Sequence, residues 1–264
     1  MIRLVIANQK GGVAKTTTTL TMAREFAERG RKVLIIDIDA QGSIGAALGL
    51  KPANYLYSLL ISNYRFRDCI VSAHPNIDVV CSNRETNDVE GVLMPRTGRE
   101  LVLQAVLTPV EHEYDVILID CPPSISLLQS CALVYTQQIL IPLTMDPLSL
   151  QGAFAAIQTS TTLNQLFKTA IKPVAILPTQ VDRRLQMTDL IMTSLETLAT
   201  QNQMVLLPPV RTDSTVTKAT RSKQFLADFD PKCKAVDDYR VVVDRLIEHL
   251  KGQLENERTV QAEA

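Results

Sequence analysis

No uncharged apolar run in this sequence approaches the roughly 20 residues that a membrane-spanning helix needs. The N-terminus carries a strand-like run, Ile2–Ala7, where a signal peptide would have its apolar stretch, and no cleavage pattern follows. The five cysteines (Cys69, Cys81, Cys121, Cys131 and Cys233) form no C-x-x-C pair and sit mostly in apolar company. That spacing argues against a metal site and for reduced core thiols in a cytoplasmic protein. His74, His112 and His249 are scattered, with no triad or metal-ligand spacing between them. The formal net charge is only −1, so binding to nucleic acid or membrane would have to come from a local patch. Internal repeats, low-complexity tracts and Pro/Gly-rich linkers are missing too, which leaves no place to divide the chain.

What remains is an ordinary globular composition, 46% hydrophobic and 21% charged over 264 residues, enough for a sizeable core. Short apolar runs alternate with longer amphipathic ones. The runs predict strands at Ile2–Ala7, Lys32–Ile36, Ile77–Cys81, Val116–Ile119, Gln138–Pro142, Val174–Thr179 and Met204–Leu207. Helical periodicity fills Thr16–Arg29, Leu56–Ser62, Gly98–Leu107, Leu148–Leu166, Thr188–Ala199 and Val236–Leu250. Val/Ile/Leu-rich strands with few polar alternations are those covered on both faces, so the pattern predicts an α/β fold with a mostly parallel sheet. One domain is expected over residues 1–252, with a polar, frayed tail over 253–264.

The stretch Asn8-Gln9-Lys10-Gly11-Gly12-Val13-Ala14-Lys15-Thr16-Thr17 stands between the first strand and the first helix. A strand, a glycine-bearing loop, a Lys-Thr pair and a helix form a cradle for phosphates. Loop N–H groups and the helix terminus face the anion, the lysine neutralises it, and the threonine hydroxyl suits a Mg²⁺ ligand. Against G-x-x-x-x-G-K-[ST], the required glycines fall on Gln9 and Ala14, and the glycines present have moved to Gly11 and Gly12 behind a second lysine, Lys10. A left-handed backbone at Ala14 would cost about 1–2 kcal/mol, and a helical one nothing.

Carboxylates close two later strands. Asp37 and Asp39 alternate onto one side at the carboxyl end of the second strand, and Asp120 ends the all-apolar run Val116–Ile119. An acid at the end of such a strand is costly unless a cation or hydrogen bonds occupy it.

The loop with Lys10 and Lys15, Asp37-Ile38-Asp39-Ala40-Gln41-Gly42, and Asp120-Cys121-Pro122-Pro123 together resemble the ParA/MinD family of P-loop ATPases, closest to the Soj-like ParA partition ATPases. The resemblance extends to about Leu250. It implies ATP and Mg²⁺ as ligands, with Gly11, Gly12, Val13, Ala14, Lys15, Thr16 and Thr17 around the phosphates. Lys10 would reach the phosphates of a partner subunit in an ATP-bound homodimer. Asp39 would position the attacking water, Asp37 would stand near the magnesium shell with Thr16, and Asp120 would be the Walker B carboxylate.

Further along, Thr179-Gln180-Val181-Asp182 and Leu207-Pro208-Pro209-Val210-Arg211 resemble the family's base-binding segments, which makes Thr179, Asp182, Pro208, Pro209 and Val210 base candidates. Pro209 replaces the family's first arginine, and these residues alone do not choose adenine over guanine. The family binds DNA non-specifically as ATP dimers. Candidates for that here are Lys218, Arg221, Lys223, Lys232 and Lys234, then Arg183, Arg184 and Arg245.

The implied function is partition of plasmid or chromosome cargo, driven by slow ATP hydrolysis that a ParB-like partner stimulates, at the nucleoid. The same residues would serve positioning of a non-DNA cargo, and a MinD-like division-site regulator shares the engine. The end of the chain, Glu255-Asn256-Glu257-Arg258, lacks the apolar face and basic excess of a membrane anchor.

Overall fold

The structure is a computed structural model. It describes the backbone of residues 1–182, 184 and 186–263, and the side chains of these apart from 186, 187 and 254–263. Among the described residues, eight strands form one sheet: β1 (Ile2–Ile6), β2 (Val33–Asp37), β3 (Ile70–His74), β4 (Ile77–Val80), β5 (Val116–Asp120), β6 (Gln138–Leu143), β7 (Lys172–Pro178) and β8 (Val205–Leu206). Their order is β3-β4-β2-β5-β1-β6-β7-β8, and every pairing is parallel except that of β3 with β4.

The helices are α1 (Lys15–Glu28), α2 (Ser43–Leu48), α3 (Leu56–Leu60), α4 (Phe66–Cys69), α5 (Val89–Leu93), α6 (Val102–Leu107), α7 (Leu127–Thr136), α8 (Pro147–Phe167), α9 (Gln186–Gln201), α10 (Thr215–Arg221), α11 (Leu226–Phe229) and α12 (Lys234–Glu263). They cover both faces of the sheet. Along β1, Leu4 and Ile6 enter one core with α1 and α12, while Val5 and Ala7 enter the other with α7 and α8. Strands β2 and β5 alternate in the same way, Leu34 and Ile117 to one side, Ile35 and Leu118 to the other. Double coverage is why the runs are apolar throughout. All five cysteines are buried free thiols.

Three of the departures from the sequence reading have a plain physical reason. Strand β3 is an antiparallel edge that pairs only with β4, and its residues are only partly buried apart from exposed Ser72, so no apolar run marks it. Helix α7 has no counterpart among the helices expected from periodicity. It is buried nearly all round, which erases the 3.6-residue alternation, and Ser126 caps it by accepting the Gln129 N–H at 3.0 Å. The last helix runs on through residue 263 instead of stopping near Leu250, so the backbone is helical over 253–263, within the stretch expected to fray. Glu, Gln, Arg and Ala in that stretch are good helix formers, and no proline or capping glycine stops it. Among the described residues, no helix is long and apolar enough to cross a membrane.

Candidate functional site

Parallel register brings the chemistry together. Ile6, the last residue of β1, pairs with Asp120 of β5, and Asp37 of β2 pairs with Asp120 on its other side. The loop leaving β1 therefore passes over two buried carboxylates at the carboxyl ends of adjacent strands, where open α/β sheets bind ligands. Gly12 (φ 76°) and Ala14 (φ 63°) are both left-handed, and Ala14 is the residue before α1. Alanine therefore bears the conformational cost that the sequence raised as one alternative.

Lys15 is buried, and its ammonium donates to the Lys10 carbonyl at 3.0 Å, folded back across the loop. Burial lowers its pKa, and the nearby carboxylates of Asp120 and Asp39 pull it back up. Thr16 donates its hydroxyl to Asp120 Oδ2 at 2.6 Å, and Thr19, one turn on, reaches Asp120 Oδ1 at 3.3 Å. Even with these bonds, burial pushes the Asp120 carboxyl up to about 7, with Asp39 adding to the rise. Asp37 is raised well above the usual carboxylate range, first by burial and then by Asp120. Two carboxyls crowded under a loop that carries a threonine hydroxyl are hard oxygen donors short of positive charge. They fit a divalent cation such as Mg²⁺.

The two aspartates of the second strand end differ in what they touch. Asp37 is fully buried, and its oxygens accept the N–H groups of Asp39 and Ile44, each at 3.0 Å. It thereby holds the turn that presents Asp39 and starts α2. Asp39 is half-exposed and accepts the Gln41 N–H at 2.9 Å. Its position at the mouth, beside Lys15, suits a group that meets water or substrate.

Lys10 is engaged within its own chain. Its ammonium lies 2.6 Å from Asp146 Oδ2, and Asp146 also accepts the Thr144 hydroxyl and the Ser149 N–H, capping α8. Hydrogen bonds from Lys10 and Thr144 outweigh desolvation and hold the Asp146 carboxyl well below its usual range. Behind the loop, Asn8 is fully buried. Its amide donates to the carbonyls of Pro142 and Ser149, and its Oδ1 accepts the Lys10 N–H. Helix α8 approaches so closely that a Cβ on Gly152 would overlap Asn8 Oδ1. Sequence reasoning missed Asn8, Thr19, Asp146 as a partner of Lys10, and Gly152.

The base candidates divide. A cavity of about 360 Å³ beside the loop is lined by Ala14, Thr17, Thr179, Val210 and Tyr239, among others. Thr179 ties it to the loop by donating to the Val13 and Leu143 carbonyls, and Gln180 donates to the Gly12 carbonyl at 2.8 Å. Asp182 and Pro209 line a neighbouring cleft instead, with Arg184, Arg211, Lys234 and Asp238. Asp182 is occupied there by Arg184, at 2.6 Å. Pro208 ends the strand side of the same loop, and Val210 returns to the sheet through the Pro178 carbonyl.

Lys218 and Arg221 stand on α10, Lys223 just after it, Lys232 two residues before α12 and Lys234 at its first position. All five are exposed. Arg245 pairs with Glu248, and Arg183 lies outside the described residues.

A family model described as an AAA domain matches residues 1–173. The chain is 35% identical over 188 residues to the chromosome partitioning protein ParA of Myxococcus xanthus, covering 69% of this chain and 65% of that one. It is 30% identical over 253 residues to the cell division protein PomZ of the same organism, covering 94% and 78%. Among solved structures, cobyrinic acid a,c-diamide synthase from Mycobacterium smegmatis with bound ADP and magnesium superposes at a TM-score of 0.80. Identity to it is 28%, over 95% of this chain and 96% of that one. With a two-lysine phosphate loop, paired buried carboxylates beneath it and these relatives, the chain belongs to the ParA family of P-loop ATPases.

Proposed function

We propose that this protein is a partition or positioning ATPase whose ATP-bound homodimer binds DNA without sequence preference and is released by slow, partner-stimulated hydrolysis. The observation that carries the reading is the Thr16–Asp120 contact under a loop with Lys15 and Asp39 at its mouth. ATP is the substrate, its phosphates on residues 11–17 and its base against Thr179 and Val210. Mg²⁺, held by Thr16 and Asp120 with Asp37 behind them, would supply the charge that neutralises the phosphate oxygens. Lys15 steadies the same charge, and Asp39 orients the attacking water. Lys10 has first to leave Asp146 before it can reach a partner subunit's phosphates, so dimerisation and release of that ion pair are one event.

Lys218, Arg221, Lys223, Lys232 and Lys234 form the DNA face, and a ParB-like protein is the expected activator. Residues 1–252 make up the working unit. A second reading, a division-site regulator, is favoured by the match to the cell division protein PomZ, which spans 94% of the chain.

The test is DNA retention with ADP, ATP and a non-hydrolysable analogue across a salt series. Binding should need the triphosphate and weaken by about one power of salt concentration per phosphate contact. Asp39→Ala should lose hydrolysis at least about 100-fold yet stay on DNA with ATP. Lys10→Ala should sediment as a monomer at saturating ATP. Normal turnover by Asp39→Ala, or a wild-type protein that stays single with the analogue, would overturn the proposal.

A further inference from the structure

Helix α2 is only six residues long and is bracketed by two left-handed glycines, Gly42 (φ 63°) and Gly49 (φ 65°). Gly42 has no room for a side chain, and one at Gly49 would have to displace Lys223. A Cβ on Gly42 would stand 2.7 Å from the Ser82 carbonyl oxygen, and one on Gly49 2.6 Å from Lys223 Cδ. The Cβ and Cγ of the same lysine lie 3.2 and 3.3 Å from that point, so the whole Lys223 stem rests across Gly49. At its other end α2 is tied to the site, because Asp37 accepts the N–H of Ile44 with one oxygen and that of Asp39 with the other. Lys223 follows α10 and is itself left-handed (φ 56°), which turns its stem back over the glycine.

Helix α10 therefore meets the nucleotide site twice. Its first turn, through Val216 and Thr217, lines the cavity beside Thr179 and Val210. A diphosphate and a triphosphate would fill that cavity alike. Its far end rests on α2, which begins in the loop carrying Asp39. Only the second route can distinguish the two nucleotides.

We propose that α2 is a strut that passes the state of the Asp37–Asp39 loop to Lys223 and the basic end of α10, making that face responsive to the triphosphate. Its consequence for DNA rests on the function proposed above. The coupling itself does not. The glycines are needed because a helix with free ends would absorb the displacement, whereas one seated on a carbonyl at one end and a lysine stem at the other transmits it.

The test uses the full chain with Mg²⁺ and either ADP or a non-hydrolysable ATP analogue. It reads amide exchange over residues 215–224 and DNA affinity in parallel. In wild type, the analogue should slow exchange in this segment by about fivefold or more relative to ADP. Lys223→Met keeps the stem and loses the charge. It should keep that difference while lowering DNA affinity, with the ratio between the two nucleotides preserved. Lys223→Ala and Gly49→Ala should lose the exchange difference and bring the DNA ratio close to one, Gly49→Ala keeping analogue affinity within about twofold. If Gly49→Ala does not fold, the Met and Ala variants of Lys223 decide the matter. Equal exchange with the two nucleotides in wild type, or an undiminished difference in Lys223→Ala, overturns the strut. A wild-type exchange difference without DNA retention removes the DNA reading and leaves the strut standing.

Discussion

On its phosphate side the site is made of three strand ends that are hydrogen-bonded neighbours, with Ile6, Asp37 and Asp120 in one register. The wall behind Lys10 is made differently, by β6 and α8 arriving from some 140 residues away and locking onto Asn8 through the Pro142 carbonyl of the strand and the Ser149 carbonyl and Gly152 of the helix. The first side follows from local pattern and sheet register. The second depends on long-range fit, and fit has no margin where a single Cβ cannot be admitted. Breaking the back wall should therefore cost more than altering the phosphate loop's own backbone.

The largest effect is expected from Gly152→Ala. The new methyl must displace Asn8, which leaves the Pro142 and Ser149 carbonyls and the Lys10 N–H to find other partners in a buried place. Overpacking and unpaired polar groups together should cost about 3 kcal/mol. For a chain of this length that is about 6–12 °C in melting temperature. Adding Asn8→Ala makes room for the methyl, so the double variant should be less destabilised than the sum of its parts. Strict additivity in thermal melts would mean that α8 and the loop are not locked as described.

An intermediate effect should come from the carboxylates beneath the loop. Asp120 titrates at about 7 in the fold, and Asp37 is raised too. Both titrate near 3.9 in an unfolded chain. Above the unfolded value the folded protein holds more protons than the unfolded one, so stability falls as pH rises from about 4 through about 7. The carboxyls with lowered pKa, Glu28, Asp146, Asp182 and Asp213, act at the acid end of this window and below it, while His249, lowered by burial, adds a rise below about 6.5 that the buried pair has to outweigh. Melting without divalent cation or nucleotide should track that fall. Asp120→Asn keeps an acceptor for Thr16 and should flatten it. A melting temperature that rises from pH 5 to 7 in the wild type, or an equally steep fall in Asp120→Asn, would refute the assignment.

The same contrast separates what could be read in the sequence from what could not. The phosphate loop, Asp37, Asp39 and Asp120 were legible because each follows a short apolar run, and alternation plus parallel pairing then fixes where it points. Strand β3 and helix α7 were not. One is an exposed edge without an apolar run, and the other is so fully buried that its period vanishes. The motif groups Thr179, Asp182, Pro209 and Val210, whereas the fold divides them between two adjoining clefts, because Val210 and Arg211 bend the loop back to the sheet through Pro178 and Val181. The Lys10–Asp146 pair and the Gly152 contact join residues too distant in the chain for any spacing rule to connect.

The smallest expected effect tests the other half of the comparison, where the loop's own backbone is strained without a packing conflict. Ala14 is left-handed at the residue before α1, and no side-chain cap follows from it. Replacing it with glycine removes the steric cost of that conformation, about 1–2 kcal/mol, and returns part of the gain as added freedom in the unfolded chain. Ala14→Gly should therefore be more stable by about 1 kcal/mol, or about 2–4 °C. Because Ala14 also lines the cavity beside Thr17 and Thr179, the substitution should leave the cavity's shape unchanged apart from one methyl. Loss of stability in Ala14→Gly, measured by thermal melting without nucleotide, would mean that the methyl contributes packing worth more than the backbone strain it imposes. The phosphate side would then be held by fit, as the back wall is.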